Sequence, residues 1–323
     1  MEESAIPCCL CGGIRFIKVY NAFDFDTGKI PFHLSRCDAC GLVRTEPILD
    51  ETHLGLFYPN EYYGAGDTKF TGFVEILTRY FQHIRGRRFV KLLAAENIAP
   101  SRRLRFLDVG CGRGSLLKSL SRLNCECHGV ERAEFPTEET QETILFHRKE
   151  LLEIGFGDNS FDAVILWHSL EHMMNPKVIV EEIARILRPG GIIAVAVPNF
   201  GSYQARLFRR HWFHLDLPRH TYHFDLSSLK QCLSDSGLHI FRTSTSSLEQ
   251  NLYGFIQSLL NALFYFKRPN QFYTVLKSGR RLSLRLLGWI VLASLASPFA
   301  LIEYVISDLL GKGATLIVYA KKQ

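Results

Sequence analysis

The sequence predicts an α/β fold: a mostly parallel sheet with a small cysteine-bearing ribbon before it and an apolar helical insertion near its end. Three stretches carry this reading. Leu104–Leu117 alternates apolar and polar residues up to Phe-Leu-Asp-Val, sets Gly110, Gly112 and Gly114 at every second position, and opens a helix-period run at Ser115. Cys8-Cys9-Leu-Cys11-Gly and Cys37-Asp-Ala-Cys40-Gly repeat one turn pattern near the start. Two apolar runs, 251–266 and 286–302, flank a basic connector ahead of a last strand-like segment.

At 323 residues, with 47% hydrophobic and 22% charged residues, the chain has room for one large domain and an appendage, and disorder is not expected. Its net charge of +6 is mild. Met1–Pro7 is short and acidic, unlike a signal peptide, and nine cysteines without one suit a reducing compartment. The expectation is a cytoplasmic protein.

Residues 1–50 form the first predicted unit. Its two Cys-x-x-Cys-Gly turns are separated by twenty-five residues. Each presents two thiolates on one side, and Cys8, Cys11, Cys37 and Cys40 together suit tetrahedral Zn²⁺ in a closed, structural site. A redox Cys-x-x-Cys is disfavoured by the second copy. Cys9 is a bystander or a substitute for Cys8. Short strands at Ile14–Tyr20 and Phe32–Ser35 would make a ribbon too small to stand without metal. In residues 51–100, Phe70–Ile98 has helical periodicity with a basic face.

Residues 101–323 form the main predicted domain. A dinucleotide fingerprint would need a glycine at 115, where the chain has Ser115. What stands instead is Asp108-x-Gly110-x-Gly112-x-Gly114, followed by Glu131 at the end of the next strand, nineteen residues after Gly112. Phe161–His172 and Leu187–Val197 then supply an apolar strand with a His-Ser-Leu-Glu-His loop, and a Arg-Pro-Gly-Gly turn into another strand. In this order the four motifs resemble class I S-adenosylmethionine (SAM)-dependent methyltransferases. The resemblance implies a Rossmann-like seven-stranded sheet. It also implies SAM held by Asp108, Gly110, Gly112, Gly114, Glu131 and His168, with Glu131 on the ribose hydroxyls. Glu150, after a predicted strand at Ile144–His147, reads as solvent-exposed. Glu171 and His172 shape the pocket.

The N-terminal module sharpens the resemblance to methyltransferases with a zinc-binding module, many of which act on deoxysugars or serve surface-polysaccharide pathways. Tyr58-Pro-Asn-Glu-Tyr62-Tyr63 resembles their segment leading to the active-site mouth, though an aromatic staple between domains reads equally well. After the fifth strand, His211, His214, His220 and His223 fall within thirteen residues, with Tyr222 among them. The segment resembles the substrate-pocket segment of those enzymes. A histidine titrating near neutrality suits the general base, His220 first, His223 second, with Tyr222 a further candidate. These histidines lack a helical i,i+4 pairing and SAM chemistry needs no metal, so a metal is not expected there.

Residues 250–311 interrupt the domain before a last strand at Thr315–Ala320, which would pair with one at Leu238–Ser244. Two strands of one sheet share a compartment, so a single membrane crossing between them is impossible. Two crossings would export Lys267, Arg268, Lys277, Arg280, Arg281 and Arg285, against the positive-inside rule. The runs are therefore a lid over the domain or an apolar hairpin on an anionic membrane surface, with the second reading slightly preferred. The predicted activity is SAM-dependent methylation, at carbon or oxygen, of a small-molecule saccharide that is free, nucleotide-linked or lipid-linked. The enzyme would be cytoplasmic, peripheral at the inner face of the membrane. The alternative is an RNA-modifying methyltransferase, or a SAM-dependent RNA-binding regulator, using the zinc ribbon. Between Ile14 and Ser35 the only cations are Arg15, Lys18 and Lys29, too sparse to follow phosphates, so no nucleic-acid partner is expected.

Overall fold

A computed structural model describes residues 6–58, 73–96, 98, 103–132, 144–264, 269–277 and 284–323. The chain opens with three antiparallel strands, β1 (Phe16–Phe23), β2 (Pro31–Cys37) and β3 (Val43–Glu46). Asp24 builds the β1–β2 turn, its carboxylate accepting from the backbone N–H groups of Thr27, Lys29 and Ile30. Next comes α1 (Glu51–Gly55), capped by Asp50, whose side chain accepts from the His53 N–H. The long α2 (Phe73–Ala95) leads into the main sheet and matches the predicted leading helix.

The sheet alternates strands and helices: β4 (Arg105–Val109), α3 (Ser115–Ser121), β5 (Glu126–Val130), β6 (Ile144–His147), α4 (Leu151–Ile154), β7 (Phe161–Trp167), α5 (Pro176–Ile186) and β8 (Leu187–Pro198). Then follow α6 (Tyr203–Phe208), the two-residue β9 (Tyr222–His223), α7 (Leu226–Asp235) and β10 (Leu238–Ser244). Three helices, α8 (Leu248–Phe264), α9 (Gln271–Lys277) and α10 (Leu284–Leu309), precede β11 (Thr315–Lys322).

The seven strands lie in the order β10-β11-β8-β7-β4-β5-β6. Only β11 runs antiparallel to its neighbours, inserted between β8 and β10. Central strands read as continuous apolar runs because helices cover both faces. On one face Phe89 and Leu93 of α2 and Leu117 and Leu120 of α3 meet Phe106 and Ile165. On the other, Val180 and Ile183 of α5 and Leu229 and Leu233 of α7 meet Leu107 and Val195. Each such fully buried side chain contributes about 1.5–3 kcal/mol. This is the predicted Rossmann-like α/β sheet, apolar C-terminal helices included.

Two relationships were outside the sequence pattern. β9 does not join the large sheet but extends the N-terminal one to β1-β2-β3-β9, pairing Val43 with His223 and Arg44 with Tyr222. A third core cluster joins Phe32 and Leu34 of β2 to Phe208, Trp212, Phe255 and Ala300. The N-terminal ribbon is thus packed on the segment after β8 and on the C-terminal helices.

Candidate active site

At the end of β4 the backbone turns through Gly110, Gly112 and Gly114, all at positive φ (+77°, +52° and +68°). Two of these glycines are enforced by neighbours: a Cβ on Gly110 would stand 2.5 Å from the Ser169 Cβ, and one on Gly114 2.5 Å from the Phe146 ring. A Cβ on Gly112 would meet no atom within 4 Å. The turn therefore borders open space, the cradle a ligand needs. On its rim, Glu131 accepts a hydrogen bond from the Gly112 N–H (3.0 Å). Below it Asp108 is buried, and burial lifts its carboxyl to about 7 against the pull of Arg85. Arg85, half-buried, reaches in from α2, donates to Glu249 of α8 at 2.6 Å and lies 3.9 Å over the Trp167 ring. These residues fit SAM: a carboxylate for the ribose hydroxyls, a buried acid for an ammonium, and free volume over the turn. Glu150 also borders the cradle, where it caps α4 and pairs with Arg132 at 2.9 Å, so it is more engaged than a free surface glutamate.

From the cradle one cavity of about 1980 Å³ continues past the end of β7. His168, at φ +52°, turns its ring so that Nδ1 lies 3.3 Å from Glu171 and the ring stacks on His214. Glu171 is 1% exposed, and neither carboxylate oxygen has a hydrogen-bond partner among the described residues. Burial raises its carboxyl to about 7. Its Oε1 lies 4.0 Å from His220 Nε2. His220 Nδ1 lies 2.9 Å from the His214 carbonyl oxygen, which only accepts, so the proton sits on Nδ1 and Nε2 keeps its lone pair. Burial first, then the neighbouring His172 and His223, holds the imidazole neutral, well below its usual range. His172 is pinned likewise, Nδ1 to the Arg219 carbonyl at 3.1 Å, and Tyr58 reaches the same nitrogen at 3.1 Å. Tyr62 and Tyr63 of the aromatic segment lie outside the described residues.

The cavity gathers Asp108, Gly110, Gly112, Glu131, His168, Glu171 and His220. It does not gather the other two base candidates. β9 carries Tyr222 and His223 into the N-terminal sheet, off the cavity wall. The Tyr222 hydroxyl donates to the Met174 carbonyl at 3.0 Å, and burial raises its pKa far above the ordinary tyrosine value. His223 Nε2 meets the Thr45 hydroxyl at 3.0 Å, and burial depresses its imidazole to about 3. Strand pairing, invisible in a histidine-rich run, separates these two from His220. His220 is the one of the three candidates that lines the cavity.

The four cysteines converge. Cys8 and Cys40 sulfurs lie 3.5 Å apart, as do those of Cys11 and Cys37, and all four are within 4.8 Å of one another. Tetrahedral bonds of about 2.3 Å would set them roughly 3.8 Å apart. Gly12 and Gly41, at φ +72° and +78°, close the two turns, and the Gly13 N–H points at the Cys11 sulfur. The thiolate set fits Zn²⁺. Cys9 stands outside the cluster.

Sequence reasoning missed two buried connections. Arg219, 1% exposed, donates to Asp216, to Asp26 at 2.7 Å and to the Phe57 carbonyl at 2.7 Å, tying the histidine segment to the N-terminal unit. Thr45 holds the backbone of the same segment. An arginine beside a proline and a histidine was the only signal.

A family model described as a methyltransferase domain matches residues 79–242, about half the chain. Among curated relatives, a ubiquinone biosynthesis O-methyltransferase of Maricaulis maris is 28% identical over 159 residues, 44% of this chain and 61% of that one. A sterol 24-C-methyltransferase of Gibberella zeae is 32% identical over 111 residues, 31% of this chain and 29% of its own. The chain thus matches less than two thirds of the length of these relatives. Among solved structures, the phosphoethanolamine N-methyltransferase 2 of Haemonchus contortus, in complex with SAM, aligns with 95% of this chain and 71% of its own at TM-score 0.51 and 13% identity, a likeness of fold. With the glycine cradle, the strand order and the match from residue 79 to 242 agreeing, the chain belongs to the class I SAM-dependent methyltransferases.

Proposed function

We propose that the enzyme methylates a saccharide acceptor, nucleotide- or lipid-linked, with His220 as general base. The observation that carries this is the neutral His220 imidazole, whose Nε2 lone pair borders the same cavity as the glycine cradle. When bound, SAM supplies an electrophilic methyl group on a sulfonium. The protein's work is alignment, exclusion of water and proton removal. Asp108, Gly110, Gly112, Gly114, Glu131 and His168 would hold the cofactor. As the acceptor's nucleophile loses its proton, His220 Nε2 takes it, and the imidazolium that forms lies 4.0 Å from Glu171 Oε1, which balances it in its ionised form. The saccharide rests on the resemblance of the N-terminal module. The relatives' names, a quinone pathway and a sterol, add apolar character to the acceptor.

Zn²⁺ at Cys8, Cys11, Cys37 and Cys40 is proposed as structural, and residues 1–50, 51–100 and 101–323 as the units of the chain, with β9 shared between the first and last. The enzyme is proposed as cytoplasmic and peripheral at an anionic membrane surface through residues 250–311; the apolar, largely exposed Leu286–Leu309 helix supports the membrane contact. Lys267, Arg268, Arg280 and Arg281 of its basic connector lie outside the described residues.

The test uses methyl-labelled SAM and fractionated cell extract. Label should enter a glycan or glycolipid fraction, and His220→Ala should lose labelling while keeping SAM affinity. Label in RNA or protein alone would overturn the saccharide reading.

A further inference from the structure

The cavity does not end at the histidines. Beyond them its wall includes Leu252, Tyr253 and Ile256 of α8, Phe272, Tyr273 and Leu276 of α9, and Ala293 and Ser297 of α10. Three hydroxyls stand among these eight side chains; that of Ser297 donates to the Ala293 carbonyl at 2.8 Å and that of Tyr253 to the Gln257 side chain at 3.4 Å, so the wall is mostly carbon. A sugar on a nucleotide would set hydroxyls and phosphates against carbon here, and each unsatisfied polar group costs free energy. At about 1980 Å³ the cavity is also about twice the upper end for a site that holds one small ligand. There is room for a second, apolar occupant beside the cofactor.

The other side of that wall faces outward. α10 rests on the domain along a stripe marked by the buried Ala296, Ala300 and Ser307. Its opposite stripe carries Leu287, Val291, Leu295, Phe299, Ile302 and Leu309, each at least 50% exposed. Their spacing near four residues puts them on one face. Leu286–Leu309 has mean hydropathy 1.8, long and apolar enough to cross a membrane by length and composition. Its inner stripe is held by the protein, so the helix lies along the domain with an apolar outer face. The sequence just before it supplies six cations and no acid between residues 267 and 285. An apolar helix face beside a cationic segment matches an anionic lipid interface better than a protein surface.

We infer that the acceptor's reacting head hangs from a long apolar tail, that the tail lies on the wall formed by α8, α9 and α10, and that α10 seats the enzyme in the plane of the anionic bilayer carrying that acceptor. This deepens the methyl-transfer reading and rests on it. It selects the lipid-linked acceptor over the nucleotide-linked one. The same helix is the wall of the chamber on its inside and the dock on its outside, so the acceptor's head can reach the cradle while its tail stays in apolar surroundings.

Two measurements on the full chain separate the parts. Geranyl, geranylgeranyl and undecaprenyl monophosphates serve as probes, read by displacement of an environment-sensitive fluorophore. Flotation uses vesicles of phosphatidylcholine with and without phosphatidylglycerol. Affinity should rise by at least about tenfold from the shortest to the longest probe, as burial of added methylenes requires. Ala293→Trp and Ser297→Trp should abolish that dependence while flotation and SAM affinity persist. Leu295→Asp with Phe299→Asp should abolish flotation on anionic vesicles while probe binding persists. Equal affinity for all three probes overturns the tail. A wild-type chain that stays in the aqueous fraction at low salt, or that forms a dimer which Leu295→Asp dissociates, assigns the face to another occupant and overturns the dock. Calorimetry showing no SAM binding by the wild type would overturn methyl transfer itself, and this inference with it.

Discussion

The hydroxyl of Thr45 donates a 2.6 Å hydrogen bond to the carbonyl oxygen of His220, and its backbone N–H donates one of 2.9 Å to the carbonyl of Thr221. The ribbon that the four cysteines organise therefore holds the backbone of the proposed base. Cys37→Ser should release the metal, measured by elemental analysis, and speed amide exchange across residues 8–46. The same loss should reach Thr221–His223 and lower kcat, while SAM affinity stays close to wild type. Unchanged exchange at those three residues would mean that the ribbon and the base are mechanically independent.

Glu131 and Gly110 should fail in different ways. Glu131→Ala removes the carboxylate on the rim and should weaken SAM binding by about 1.5–3 kcal/mol in calorimetry, with the fold intact. Gly110→Ala pushes a methyl group into Ser169, at 2.5 Å, and should lower stability by about 1–3 kcal/mol in chemical denaturation. Gly112→Val meets no protein atom, so its effect on SAM comes from the positive φ and from filling the cradle, with a smaller loss of stability than Gly110→Ala.

The Asp108 carboxyl, lifted to about 7 by burial, predicts a pH dependence for cofactor binding. Its carboxylate form favours the cofactor's ammonium, and its neutral form does not. Affinity should therefore be full above the raised pKa and fall as pH drops through about 7, by up to about tenfold per unit. Asp108→Asn should be weak at every pH and flat. A wild-type profile that is level between pH 6 and pH 8 would remove Asp108 from the cofactor site.

His220→Ala should lower kcat by about 10²–10⁴-fold with SAM affinity retained. His223→Ala and Tyr222→Phe should behave as stability variants, the second losing its bond to the Met174 carbonyl at a cost of about 1 kcal/mol. If His223→Ala loses turnover at unchanged stability and His220→Ala does not, the base is His223 and the strand pairing of β9 must open in the working enzyme.

Much of the sheet could be read from the chain because its strands and turns obey local rules. Ile144–His147 and Leu238–Ser244 form strands at the expected residues, and Asp108-x-Gly110-x-Gly112-x-Gly114 bends where its glycines allow. What local pattern could not carry is long-range. β9 has two residues, too few for any periodicity, and its partner Val43–Arg44 lies almost 180 residues earlier. The Arg85–Glu249 pair joins residues 164 apart, so nothing near Arg85 distinguishes it from the solvated cations of the same helix. The sequence marks Glu171 as a residue that shapes the pocket, yet its lack of a hydrogen-bond partner among the described residues depends on the packing around it.

The antiparallel β11 sits between β8 and β10, yet the chain places α8, α9 and α10 before it. Residues 244 and 317, paired across β10 and β11, close a long loop of mostly apolar helices. Such closure adds little to the final entropy cost, since that grows only with the logarithm of length, but it delays the step that completes the sheet. Until β11 docks, β8 and β10 each present an unpaired edge. A circularly permuted chain, in which β11 precedes β4, would shorten the span from β11 to β8 but nearly double the one to β10, and should refold no faster than the natural order.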